Sequence, residues 1–211
     1  MLSTIDLSNT FAASLSSVFE RARRSLVIVE SGRHGAGAGV VWRPGGIIVT
    51  NNHVISRGKT RIRLLNGDLF PARLIAQRPE IDLAILQAET SDAVNVDLPV
   101  APIADSRGLR IGQIALAIGH PWGQIGAVSA GVISSLGSLP LQDGSGSIAL
   151  IRSDVGLAPG NSGGPLMNAS GGVIGINTMI VGGDLGVAVP SHVVEAFVDE
   201  TLGERLLQVA G

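Results

Sequence analysis

Apolar positions along this chain repeat first with a helical period, then in short β-type runs, then once more as a helix. Phe11, Leu15, Val18, Phe19 and Ala22 fall at i, i+4, i+7, i+8 and i+11, one face of a helix over residues 8–24. Ser8, Asn9 and Thr10 supply N-caps for it. Leu26–Val29, Val40–Trp42, Ile47–Thr50 and Thr60–Leu65 are brief and β-rich, and Phe70–Ala76 and Asp82–Gln87 follow them. Asn66-Gly67 between two of them signals a tight hairpin. A looser stretch, Thr90 to Arg110, separates these runs from a second set. That set comprises Ile114–Ile118, Val128–Ser134, Ile148–Ser153, Gly172–Thr178 and Gly186–Val189. Pro190-Ser191 then opens a second helix, with Ser191 as N-cap and Val193, Val194, Phe197, Val198 and Leu202 apolar.

This pattern predicts an all-β chain with a helix at each end. Regularly spaced strands and turns are the signature of barrels or a sandwich. The expected organisation is a helical segment over 1–24, one β unit over 25–104, a second over 105–190, and a terminal helix over 191–211.

Composition narrows the function classes. There are 29 glycines among 211 residues, about twice the usual ~7%. Aromatics are 3% and tyrosine is absent, so Val, Ile and Leu build the core. Net charge is −2, which offers no global field to recruit nucleic acid or an acidic membrane. Without cysteine, neither a disulfide framework nor a thiolate metal site can form. No apolar run reaches the ~18 residues of a membrane helix, so no integral membrane segment is expected. The first residues, MLSTIDLSNTFAAS, lack the basic and apolar regions of a signal peptide. Location is left open: cytoplasmic for a complete chain, extracytoplasmic if a leader has been removed.

The segment Gly156-Leu157-Ala158-Pro159-Gly160-Asn161-Ser162-Gly163-Gly164-Pro165 carries the chemistry. It can neither continue a helix nor pair as a long strand. It can hold a tight turn whose backbone N–H groups point one way around a serine, as acyl transfer requires. A serine nucleophile at neutral pH needs a general base, and the base needs an orienting acceptor. His53 stands at the turn closing the apolar run Ile47–Thr50, and Asp82 directly precedes the apolar run Leu83–Leu86. Each has a plainer alternative, a structural histidine or a turn-capping aspartate. Gly160-Asn161-Ser162-Gly163-Gly164 also satisfies the nucleophile-elbow pattern, with Asp184 and His192 in the order that fold uses. An elbow must lead into a helix, however, and here Pro165 and a β-type run follow. No metal-ligand spacing is present. Gly35 to Gly39 leads into Val40-Val41-Trp42, so it lacks the helix N-terminus a phosphate loop needs. Close backbone packing or a mobile loop explains those glycines better.

TNNHV around His53, DLAIL from Asp82, AIGHPWG at 117–123 and SDVGLAPGNSGGPL at 153–166 resemble the HtrA (Deg-type) serine proteases. The resemblance runs from about residue 10 to 200. It implies a trypsin-like double β-barrel and one protease domain, with His53 as base, Asp82 as orienter and Ser162 as nucleophile. It also implies an oxyanion hole from the N–H groups of Gly160, Asn161 and Ser162. Substrate would lie against Leu157 and the stretch Ile176, Asn177, Thr178, Met179 and Ile180. The expected activity is hydrolysis of unfolded or misfolded polypeptides after small or medium aliphatic residues. No cofactor or metal and no nucleic acid is expected, and assembly is expected as a homotrimer through residues 8–24. A peptide-binding, chaperone-like module with a resting triad is the alternative. Departures from the family pattern are Val155 and Gly156 for small alanines, His120 and Trp122 for Asn and Phe, and Ser138 for an activating Arg. No PDZ domain fits within these residues.

Overall fold

The computed structural model describes residues 16–32, 35–89, 98–140, 146–181 and 185–209. Two closed six-stranded antiparallel barrels make up the fold. The first closes in the order β1-β2-β3-β6-β5-β4, from β1 (Leu26–Ser31), β2 (Gly35–Arg43), β3 (Ile47–Thr50), β4 (Thr60–Leu64), β5 (Leu69–Arg78) and β6 (Leu83–Ala88). The second closes as β10-β11-β12-β9-β8-β7, from β7 (Ile114–Gly119), β8 (Ala127–Pro140), β9 (Ser147–Ser153), β10 (Pro165–Asn168), β11 (Val173–Val181) and β12 (Leu185–Pro190).

Alternation along each strand separates the cores. Val27, Val29, Val41, Ile48 and Leu86 fill the first barrel. Ala115, Ala117, Ile133, Ile151, Leu166 and Ile174 fill the second. Their neighbours Leu26, Val40, Val49, Ile85, Leu116, Ile118 and Ile176 face the opposite way and join one cluster between the barrels. Strands buried on both faces read as nearly continuous apolar runs, which is why the barrels are so rich in Val, Ile and Leu. Helix α1 (16–22) adds Val18 and Ala22 to the central cluster, and helix α2 (Ser191–Val209) adds Val194, Phe197 and Val198.

Several expectations change. The sequence pattern shows no strand at β10, because Pro165 reads as a break. Proline is tolerated at the first position of a strand, and Pro165 pairs there with Ile176. Gly35 to Gly39 is part of β2, paired with Val27 to Ser31. A Cβ on Gly39 would lie 2.9 Å from Val29 and 3.0 Å from Ile48, so close packing accounts for that glycine. Ser191 begins α2, but its hydroxyl donates to the Ala104 carbonyl at 2.6 Å. The first-turn N–H of His192 is instead met by Ser106 Oγ at 3.1 Å. Phe11 and Leu15 lie outside the described residues. Phe19 packs against the central cluster, under the Arg23 guanidinium at 5.3 Å.

Candidate active site

His53 sits in a 3-10 turn, Asn52–Val54, just beyond β3. Asp82 closes a second such turn, Pro79–Ile81, in the left-handed region with φ 52°. Asn52 N–H donates to the Asp82 carbonyl at 3.1 Å, and Asn51 Nδ2 does so at 2.9 Å. His53 N–H donates to Asp82 Oδ1 at 3.0 Å. The imidazole Nδ1 lies 2.8 Å from Asp82 Oδ2, so it carries the proton and leaves Nε2 as the basic lone pair. Asp82 receives a further donor from the other barrel, the Thr178 hydroxyl.

These contacts set the charges. The hydrogen bond to Asp82 outweighs desolvation and raises the His53 pKa above 6.5. Burial opposes ionisation of Asp82. The bonds from His53, Thr178 and the His53 N–H, with the charge of the imidazole, outweigh it and hold the carboxyl below 3.8. The pair is therefore a carboxylate holding one imidazole tautomer.

Ser162 belongs to the loop between β9 and β10. Its carbonyl accepts from Ala38 N–H of β2 at 2.8 Å, and Gly163 N–H donates to Asn177 at 2.9 Å. The loop is thus held between the barrels, on the side where His53 and Asp82 stand. The Ser162 hydroxyl donates to the Thr178 carbonyl at 3.2 Å. Among the described residues no hydrogen bond joins it to His53.

The N–H groups of the three residues expected at the oxyanion site differ in use. Asn161 N–H donates to the Ala158 carbonyl at 2.9 Å, within its own loop. Among the described residues no backbone carbonyl accepts from Gly160 or Ser162. Gly160 has φ +106°, a conformation that L side chains rarely adopt.

The expected substrate wall is also redistributed. Ile176 is fully buried in the central cluster, and Asn177 is spent on the Pro165 carbonyl at 2.9 Å. Both side chains are therefore buried. Thr178 contributes its hydroxyl to Asp82 and its carbonyl to Ser162. Met179 and Ile180 pair through their backbones with Val187 and Gly186, and their side chains fall outside the described residues. Leu157 is half-buried, its Cδ1 2.9 Å from where a Cβ on Gly186 would stand. The elbow alternative gains no geometry, since Ser162 leads through Pro165 into β10 and His192 is bonded to Ser106 at 2.7 Å. Asp184 lies outside the described residues. Among those residues no three metal-ligating side chains cluster, and no helix is long and apolar enough to cross a membrane. The role of Thr178 toward Asp82 carries no local signal in the sequence, because the two residues belong to different barrels.

The family pattern described as "Trypsin-like peptidase domain" matches residues 37–176. The chain is 38% identical over 176 residues to "Probable periplasmic serine endoprotease DegP-like" of Chlamydia pneumoniae, covering 79% of this chain and 34% of the relative. It is 39% identical over 165 residues to "Serine protease Do-like HtrB" of Bacillus subtilis, covering 74% and 35%. It therefore spans about a third of the length of these curated relatives. The structure of a serine endoprotease from Yersinia pestis superimposes with a TM-score of 0.76 at 30% identity, over 89% of this chain and 66% of that one. The HtrA-type protease AlgW with a decapeptide also gives a TM-score of 0.76, at 26% identity, over 92% and 67%.

Proposed function

Because the chain belongs to the trypsin-like peptidases, in their HtrA (Deg-type) branch, we propose that it is a serine endopeptidase acting through His53, Asp82 and Ser162. The observation that carries this reading is the 2.8 Å contact of His53 Nδ1 with Asp82 Oδ2, with Ser162 held between the barrels beside them.

The hydroxyl of Ser162 turns from the Thr178 carbonyl toward His53 and attacks the scissile carbonyl carbon. His53 Nε2 takes the hydroxyl proton as the Oγ–C bond forms. Asp82 stays ionised, holds the tautomer and stabilises the imidazolium. The oxygen that gains the negative charge is met by the N–H groups of Gly160 and Ser162. Collapse breaks the C–N bond, and His53 passes its proton to the leaving amine. Water then attacks the acyl ester by the same base, and Ser162 recovers its proton.

Unfolded polypeptide is the substrate class that suits this reading, since an extended chain can be bound as an added strand. Leu157 against Gly186 favours a small or medium aliphatic side chain at the cut. Assembly as a trimer through residues 8–24, and work outside the cytoplasm, belong to the same proposal. The first rests on the resemblance, and the second on relatives named as periplasmic.

A fluorophosphonate probe tests the chemistry. Adduct mass at Ser162, absent in Ser162→Ala together with cleavage of an unfolded protein, is the expected result. Peptide binding without labelling or cleavage, with a substrate peptide present, would replace this reading by that of a non-cleaving peptide-binding module.

A further inference from the structure

His120 is a buried histidine that the proposed chemistry does not use, and both its ring nitrogens are committed. Nε2 lies 3.3 Å from the Val27 carbonyl of β1. Nδ1 lies 3.2 Å from Gly126 N–H. A carbonyl only accepts and a backbone N–H only donates. The ring must therefore be neutral, with its proton on Nε2. In that state it ties the first barrel to the turn 120–126 of the second.

That turn holds the proposed oxyanion loop. His120 N–H donates to the Gly160 carbonyl at 3.0 Å, and Trp122 N–H donates to the Pro159 carbonyl at 3.0 Å. The turn is closed by Gly123 N–H on the His120 carbonyl at 3.0 Å. The second bond has a directional consequence. In a trans peptide the C=O and N–H point opposite ways. With the Pro159 carbonyl fixed toward Trp122, the N–H of Gly160 is turned to the other side of the loop. Trp122 reaches this position only with φ 54°, in the left-handed region that a non-glycine residue enters at a cost. The turn therefore depends on its outside ties, and His120 supplies two of them.

We propose that His120 is a positioning residue: its neutral imidazole keeps the 120–126 turn seated, so that the Pro159–Gly160 peptide presents the Gly160 N–H to the oxyanion, and protonation of His120 releases that peptide. The proposal rests on the reading of Ser162 as nucleophile. A proton on Nδ1 would face the Gly126 N–H, donor against donor, and one tie must break. Among the described residues no carboxylate bonds the ring, and its hydrogen-bond partners are the backbone groups of Val27 and Gly126. The charged side chain that approaches the turn is Arg23 on the α1 side, with Nε 3.3 Å from where a Gly126 Cβ would stand. It is paired with Glu20 at 3.2 Å. Burial, partly offset by the Val27 bond, lowers the His120 pKa below 6.5. His53 is raised by its partner, so the two histidines titrate in a fixed order. His53 takes its proton first on acidification, and His120 follows.

The test compares native protein, His120→Asn and His120→Phe. Asn places an oxygen where Nδ1 stood, so it keeps the Gly126 tie and cannot titrate. The expected result is a native acid limb of log labelling rate against pH that steepens from about one proton to about two at a pH below 6.5. His120→Asn labels within about threefold of native near neutrality and keeps a one-proton limb, while His120→Phe loses about tenfold or more in kcat with KM little changed. An identical limb in native and His120→Asn overturns the proposal. The indole N–H resonance of Trp122 supplies a readout that needs no activity. It should shift with pH below 6.5 in the native chain and stay flat in His120→Asn. A native protein that never labels, yet shows this shift, would sink the Ser162 reading while sustaining the His120 device. A flat native resonance would sink the device alone.

Discussion

The Ser162 hydroxyl donates to the Thr178 carbonyl at 3.2 Å, while the Thr178 hydroxyl donates to Asp82. One residue of β11 thus touches both the proposed nucleophile and the carboxylate that orients its base. The carbonyl holds Ser162 at rest, and the hydroxyl adds a donor to a half-buried negative charge.

Thr178→Val keeps the shape of the side chain and removes that donor. Hydrogen bonds to charged groups contribute about 1.5–3 kcal/mol, and Asp82 retains its two bonds from His53. A loss of roughly tenfold in kcat, with KM unchanged, is expected. Steady-state kinetics on a peptide substrate checks it, and an unchanged kcat would remove Thr178 from the machinery.

The pH dependence follows from the direction of each shift. His53 must be neutral to act as base and its pKa stands above 6.5, so activity falls as pH drops through a midpoint above 6.5. Asp82→Asn removes the cause, moves that midpoint down, and lowers kcat by about 10⁴-fold. Stability runs differently for the two groups. The raised His53 pKa stabilises the fold below 6.5, and this contribution is lost as pH rises through the folded value. The depressed Asp82 pKa stabilises above 3.8, and that contribution is lost as pH falls through the folded value. A pH–rate profile paired with thermal melts across the same range separates these effects.

Two glycines near Ser162 respond oppositely to alanine. At Gly160, φ is +106° and a Cβ would collide with the His120 carbonyl. Gly160→Ala should cost about 2 kcal/mol or more of stability and about 10²-fold or more in kcat. At Gly156 nothing lies within 4 Å of a Cβ. Gly156→Ala should raise stability by about 0.4–1 kcal/mol. Chemical denaturation of both variants decides, and equal effects would contradict the loop geometry.

Helix α2 is anchored to the first barrel by charge as well as by Phe197. Arg43, at the end of β2, pairs with Glu195 and, at 3.0 Å, with Asp199. Arg78 of β5 pairs with Glu200 at 2.9 Å and lies 4.8 Å from the Phe197 ring. Arg43→Ala should destabilise by about 1–2 kcal/mol at low salt and less at high salt. Phe197→Ala should cost about 3–5 kcal/mol irrespective of salt. Melting curves at two salt concentrations distinguish the two contributions.

Much of this protein is written locally. The alternation of Ile47, Ile48 and Val49 marks a strand whichever core each side chain enters, because pleating turns neighbours to opposite faces. Asn66-Gly67 fixes its hairpin through backbone conformation alone. His53, Asp82 and the serine loop stand out because each borders an apolar run with a residue of distinct chemistry. What the sequence could not show depends on barrel closure. Pro165 begins a strand only because β7 and β11 flank it. Ile176 and Asn177 are buried by what packs on either face of β11, and Thr178 meets Asp82 only once the two barrels pack. Asn161 N–H is taken up by one turn bond, to the Ala158 carbonyl. His120 becomes a tie between barrels because Val27 is brought opposite it. Side-chain chemistry and strand period are properties of short segments and can be read along the chain. Hydrogen bonds between residues of different barrels are set by packing, and only the tertiary structure decides them.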